Sequence, residues 1–110
     1  MRTTPREVCQ QKKNAFVLSR IQKSVLVGTI LGDGGIRYRG NDCRLHIKHS
    51  INQFELVQYK HHVFSSITTM PIRVFSQPVG TKLYGFAEFV TLTHPVFTAY
   101  HNLFYPQGKR

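Results

Sequence analysis

Asp33 is the residue whose position raises the first chemical question. It follows Gly32 and precedes Gly34-Gly35, at the end of an apolar stretch that reads as a helix. A carboxylate there sits in an unfavourable field, because the carbonyl end of a helix macrodipole is negative. The chain has fifteen Lys and Arg against five Asp and Glu, a formal net charge of +10. An acid so placed in so basic a chain points to a counter-cation such as a divalent metal. The other reading is a turn-forming aspartate in an Asp-Gly pair. Three other acids have ordinary accounts: Glu7 lies in a polar lead-in, Asp42 in a hairpin turn, and Glu55 in the first turn of a helix, where it complements the dipole. Glu88 falls in a strand and has no assigned role.

The cations do not form a block. They interleave with apolar residues in Ile36-Arg37-Tyr38-Arg39 and Arg44-Leu45-His46-Ile47-Lys48, and Arg73 and Lys82 follow further on. Such charge on a folded surface favours polyanionic partners, nucleic acid first and an anionic membrane second. Tyr38 and Phe75 read as core or as facing nucleic acid, with core the first reading. Among the histidines, His61 reads as a packed core residue, His62 as solvent-facing and His94 as a helix cap; His46 and His49 lack a partner at metal-ligand spacing.

These side chains need elements to hold them. Residues 1–18 are polar and basic, contain Pro5, and read mostly as a loose lead-in, partly ordered from about Ala15. Ser19-Arg20-Ile21-Gln22 has the form of a capping box, which predicts a helix from about Arg20 to the Gly32-Asp33-Gly34-Gly35 cluster. Gly28 and Gly32 fall on one face of it, and two costly glycines on one stripe suggest close approach of another helix. A strand at 36–39, a turn at Gly40-Asn41-Asp42 and an alternating strand at 43–49 make a hairpin. Its second strand puts Arg44, His46 and Lys48 on one face and Leu45 and Ile47 on the other. Ser50-Ile51-Asn52-Gln53 is a second box, opening a helix with Phe54, Val57, His61 and Phe64 as its stripe. A second hairpin follows, with strands at 72–77 and about 83–92 around Pro78-Val79-Gly80. A last helix starts near Thr93-His94-Pro95 with Phe97, Tyr100 and Phe104 inward. The order is α+β: a four-stranded antiparallel sheet with helices on one face and the charges on the other.

At 110 residues one domain is expected, and 41% hydrophobic content with eight Phe and five Tyr argues against a disordered basic tail. The longest apolar run, residues 25–31, is far short of the roughly 18 residues of a membrane span. Cys9 and Cys43 are too few for a disulfide framework and lack zinc-ribbon spacing. A reducing compartment is expected, a bacterial cytoplasm or an organelle matrix.

The stretch Leu26-Val27-Gly28-Thr29-Ile30-Leu31-Gly32-Asp33-Gly34 resembles the nine-residue signature of the LAGLIDADG homing endonucleases. The resemblance extends through Gly35-Ile36-Arg37-Tyr38-Arg39 and Leu45-His46-Ile47-Lys48-His49-Ser50 to His94-Pro95-Val96-Phe97 and the C-terminal end, about residues 20–110. It implies an αββαββα half-domain whose motif helix pairs with that of a second unit, with Leu26, Gly28, Leu31 and Gly32 at the interface. It implies that Asp33 binds Mg²⁺ beside the scissile phosphates, with a backbone carbonyl near Gly32 as a further ligand. It implies recognition of double-stranded DNA by the sheet, for which Arg37, Arg39, Arg44, His46, Lys48, Arg73 and Lys82 are the candidates. The family commonly places a basic residue near the active-site water, and Lys48 or Lys82 are the choices here.

One motif implies either a homodimer or a missing C-terminal second half, and the details look more like the first half of a two-motif enzyme. The expected layout is a lead-in at 1–18, the endonuclease-like domain at 19–105, and a basic tail or truncated linker at 106–110. The competing functions are an RNA-binding maturase acting on intron RNA and a catalytically silent DNA-binding fragment; no membrane partner is expected.

Overall fold

The computed structural model describes residues 4–31 and 35–105. Asp33, with Gly32 and Gly34, lies outside the described residues, as does the predicted tail at 106–110. Four α-helices and four strands follow in the order α1 (Pro5–Ala15), α2 (Arg20–Leu31), β1 (Gly35–Arg39), β2 (Asp42–Ser50), α3 (Phe54–Val63), β3 (Arg73–Val79), β4 (Lys82–Val90) and α4 (Pro95–Phe104). Among the described residues no helix is long and apolar enough to cross a membrane.

The sheet is antiparallel throughout, in the order β1-β2-β4-β3. Both hairpins turn more tightly than the sequence suggested. Arg39 pairs with Asp42 and Val79 with Lys82, so the loops are Gly40-Asn41 and Gly80-Thr81. Only the glycines have positive φ, 75° at Gly40 and 67° at Gly80. A positive φ at the first loop position alone is the pattern of a type II′ turn, whose twist matches that of the flanking strands. Pro78 and Val79 therefore belong to β3, an edge strand, where a missing N–H is tolerated.

Central β2 alternates along its whole length. Cys43, Leu45, Ile47 and His49 are buried, while Arg44, His46 and Lys48 between them are not. The buried set meets Ile36 of β1, Ala87 and Phe89 of β4, Val57 and Phe64 at α3, and Phe97 of α4 in a single core. The helices cover this face only, as the alternation of β2 predicts.

The expected loose lead-in is a helix over most of its length. The Thr4 hydroxyl accepts the Glu7 N–H at 3.1 Å and the Glu7 carboxylate accepts the Thr4 N–H at 3.4 Å, a reciprocal capping box. Pro5 takes the first helical position, where its missing N–H costs nothing. Lys12 Nζ donates to the Ser65 carbonyl at 3.2 Å. Phe16, just past the helix, is buried against the rings of His94 and Phe97. His94 closes this contact by donating from Nε2 to the Lys13 carbonyl at 3.2 Å while its Nδ1 caps Val96 N–H at 3.0 Å.

Helix α2 starts where predicted. Ser19 and Gln22 cap each other, Gln22 N–H to Ser19 Oγ at 3.1 Å and Ser19 N–H to Gln22 Oε1 at 2.8 Å. The same Gln22 amide donates to the Val63 carbonyl at 3.0 Å, tying α2 to the end of α3. The second predicted box is only half made: Ser50 Oγ accepts Asn52 N–H at 3.4 Å and opens one 3₁₀ turn, Ile51–Gln53, with no reciprocal bond from Gln53.

The inner face of α2 carries Leu26, fully buried, and Ile30, so Leu26 belongs to the chain's own core and its expected place on a pairing face is corrected. The outer face carries Ile21 (62% exposed), Ser24, Gly28 and Leu31 (73% exposed), three and four residues apart along one stripe. Beyond the helix's own backbone, no atom of the described residues lies within 4 Å of where a Gly28 Cβ would stand. Nothing among the described residues therefore calls for glycine at that position. Gly28→Ala is expected to stabilise the isolated chain by up to about 1 kcal/mol through helix propensity. Leu26→Ala is expected to cost about 2–5 kcal/mol. Urea denaturation reads both, and a destabilised Gly28→Ala monomer contradicts the assignment of the outer face.

Candidate nucleic-acid interface

Directly opposed residues in an antiparallel pair share a face. Arg44, His46 and Lys48 define the open side of β2. Arg37 is the partner of Arg44, and Arg39 lies two residues along the same strand. On the other side Lys48 pairs with Glu88, so Phe86, Tyr84 and Lys82 of β4 also face outward. Across from them Arg73 pairs with Glu88, Phe75 with Phe86, Gln77 with Tyr84 and Val79 with Lys82. All seven candidate cations therefore lie on one open face. Gln77, Tyr84, Phe86 and Glu88 join them, and single-strand reading did not place those four there.

The face has two electrostatic halves. On the β1–β2 hairpin, Arg37 stands directly opposite Arg44, and neither has a hydrogen-bond or ion-pair partner among the described residues. Like charges directly opposed across strands destabilise a sheet unless an anion comes between them. Arg39, and Lys82 at the far turn, are likewise without such a partner among the described residues.

Around Glu88 and the Phe75–Phe86 pair, the side chains of His46, Lys48 and Arg73 are held. Glu88 takes His46 Nε2 at 2.8 Å on one carboxylate oxygen and Arg73 Nη2 at 2.8 Å on the other. Its side chain is only 15% exposed. Burial works against its charge, but the hydrogen bonds from Arg73 and His46 outweigh that and hold the carboxyl below its ordinary range. Phe75 and Phe86 stack with centroids 5.8 Å apart, Lys48 Nζ lies 4.6 Å from the Phe86 centroid, and Arg73 Cζ lies 4.4 Å from that of Phe75. Lys48 also donates to Gln77 Oε1 at 2.8 Å. Phe75 is thus on the charged face and not in the core, because the register with Phe86, invisible in β3 alone, decides its side.

Tyr38 faces the helices: its ring meets His101 edge-on at 4.9 Å and its hydroxyl bonds Asn102 Oδ1 at 3.2 Å, at the margin of the core. His61 is half-buried, edge-on to Phe89 at 4.9 Å, and donates from Nε2 to the Met70 carbonyl at 3.0 Å.

Gly35 opens β1 beside His46, which also pairs with Val90. Lys82 lies eight residues back along β4 from Val90, about 26 Å at the usual strand rise. It therefore stands far along the sheet from the start of β1, and of the two suggested lysines Lys48 is the nearer to it. Lys48 is two residues from His46. Among the described residues no three His, Cys, Asp or Glu side chains form a metal-binding group. The last turn of α2 carries no basic residue, although the chain's net charge is +10.

The Glu88 carboxyl has a lower pKa folded than unfolded, so its ionisation stabilises the fold above the ordinary carboxylate range, and that contribution fades as pH falls through the folded value. The stability difference between wild type and Glu88→Gln is expected to be full at neutral pH and to shrink as pH falls below the ordinary carboxylate range. Thermal melts across that range measure it, and a difference that grows on acidification contradicts the ion pairs.

The sequence profile of the LAGLIDADG DNA endonuclease family matches residues 23–110. The fold is similar to that of the homing endonuclease I-WcaI, solved bound to its DNA recognition sequence, with a TM-score of 0.78, 20% sequence identity and 92% of this chain covered. The chain spans 46% of that chain's length. No curated protein matches the sequence. The profile takes in α2 from its first turn, both hairpins, α3 and α4, the elements that build the charged face and the exposed helix stripe, and the chain belongs to the LAGLIDADG DNA endonuclease family.

Proposed function

We propose that the chain is one motif-bearing half of a site-specific double-strand DNA endonuclease of the intron or intein homing type. The observation that carries this reading is the open sheet face with six Arg and Lys side chains and His46 in one register. A duplex carries a negative charge about every 1.7 Å of its axis, and its major groove accepts a β-ribbon. The unpartnered Arg37, Arg39 and Arg44 suit phosphate or guanine, and the held His46, Lys48 and Arg73 suit base edges.

The second half of the reading concerns Asp33. It follows the last residue of α2 by two positions and precedes β1 by two, and the lack of basic residues in the last turn of α2 favours a cation. Its carboxylate, with the Gly32 carbonyl, would hold Mg²⁺. When bound, that cation polarises a phosphoryl oxygen, lowers the pKa of a water and stabilises the leaving oxygen. Asp33 supplies the negative charge that retains it, and the sheet fixes the duplex relative to that carboxylate.

A single chain has one such acid, and cutting both strands calls for two. The stripe of Ile21, Ser24, Gly28 and Leu31 offers a second motif-bearing unit a face on which backbones can approach closely. That unit is a second copy or a C-terminal half.

With about six phosphates neutralised, the logarithm of duplex affinity should fall with log salt at a slope near −5. Asp33→Asn is expected to abolish cleavage of a target-bearing plasmid in Mg²⁺ while leaving duplex binding nearly unchanged. Loss of binding in that variant contradicts the metal role. Tighter binding to folded intron RNA than to duplex favours the maturase, and selective duplex binding with no cutting at any enzyme concentration favours the silent fragment.

A further inference from the structure

Glu88 is the acid that the register sets in the middle of the cationic face, since its Cα partners are Lys48 on β2 and Arg73 on β3. Lys48 turns away to Gln77 and Phe86, and both Glu88 oxygens go instead to His46 and Arg73. One half-buried carboxylate on β4 thus ties side chains from β2 and β3. A face serving only to attract phosphate gains nothing from an acid that neutralises part of it. An acid does serve a face that must present its donors in fixed directions.

We propose that Glu88 is a positioning residue for base discrimination, orienting Arg73 and His46 towards base edges and withholding them from the nearest phosphates. This rests on the reading of the open face as a duplex-binding surface. An ionised carboxylate only accepts hydrogen bonds, so His46 Nε2 must carry a proton. In neutral imidazole that leaves Nδ1 as an acceptor, the partner of an adenine N6 or cytosine N4 amino group. Arg73 commits Nη2 to Glu88 and stacks on Phe75, while its other nitrogens remain donors suited to guanine N7 and O6. Both side chains are ordered before any duplex arrives, so binding the right base does not have to order them, whereas the wrong base meets donors that cannot swing away.

Glu88→Gln keeps the shape and removes the charge. Its amide either donates to His46 Nε2, which inverts the imidazole's pattern and leaves Arg73 only a neutral acceptor, or turns its NH2 to Arg73 and releases it. The test is selection of duplexes from a randomised pool by the 110-residue chain, followed by titration of the selected sequence and of random duplex. Wild type, Glu88→Gln, Arg73→Ala/His46→Ala and the triple variant are compared, each shown folded by urea denaturation. Glu88→Gln is expected to lower the selected-to-random affinity ratio by about 5- to 150-fold. It should bind random duplex more tightly, with a salt slope steeper by about 0.9 as Arg73 finds a phosphate. In the Arg73→Ala/His46→Ala background, adding Glu88→Gln should leave the ratio unchanged, which a merely structural role for Glu88 does not predict. A folded Glu88→Gln that keeps the wild-type ratio overturns this proposal and leaves duplex recognition standing. A further loss of the ratio in the triple variant overturns it as well. A wild type that prefers no sequence over any other overturns both.

Discussion

The two-residue alternation of β2 in the middle of the sheet is the constraint on which the molecule is built. Every second residue from Cys43 to His49 is sealed beneath helices, and every residue between them faces outward with a polar group. A slip of one residue would push Arg44, His46 and Lys48 into the core and expose Leu45 and Ile47, at a cost of several uncompensated charges. The register therefore has to be fixed at both ends of the sheet. The two-residue loops at Gly40-Asn41 and Gly80-Thr81 do this, since each closes its hairpin with no spare residue through which the strands could slide. A β-carbon at either glycine would strain the turn and loosen the register it sets.

Gathering positive charge on one face creates its own difficulty, and the two halves of the sheet meet it differently. Towards β3 the charge is absorbed: Glu88 holds Arg73 and His46, and the stacked Phe75 and Phe86 lie under Lys48 and Arg73. A cation over an aromatic ring keeps its charge while gaining a contact, worth about 0.5–1 kcal/mol at exposed sites. On β1 and β2 the repulsion between Arg37 and Arg44 is not relieved by a carboxylate among the described residues. That hairpin is held from below instead, by Ile36, Cys43 and Leu45 in the core. The stability lost on the charged side is affordable because the apolar side of the same strands is complete.

Much of this was legible strand by strand. Ser19 and Gln22 announced α2, the alternation in 43–49 gave the two faces of β2, and His94-Pro95 marked the start of α4; all depend on residues a few positions apart. Helix α1 was legible too and was missed. Thr4 and Glu7 have capping-box spacing, but few apolar residues accompany them, and what holds α1 is its docking through Lys12 and Phe16 onto segments more than fifty residues away. The face of Phe75 and the partners of Glu88 were not legible at all, because they depend on which residue of one strand stands opposite which of the next. Motif resemblance misled in one place: Leu26 belongs to the signature, yet its side chain completes the chain's own core.

Leu26 and Gly28 together show how α2 divides its work. A helix that only packed inward would gain from alanine at position 28, where the monomer leaves open space. A helix that only paired outward would have no use for Leu26 and Ile30 buried beneath it. The stripe of Ile21, Ser24, Gly28 and Leu31 runs along the side away from the core, and Gln22 fixes the rotation of the helix by anchoring its first turn to Val63. Rotation matters because β1 begins four residues after α2 ends and pairs at once with His46. The short connection carrying Asp33 is thus bounded by a helix whose roll is set by Gln22 and a strand whose register is set by Gly40. Both ends of that connection are therefore fixed by residues outside it, Gln22 through the roll of α2 and Gly40 through the register of β1.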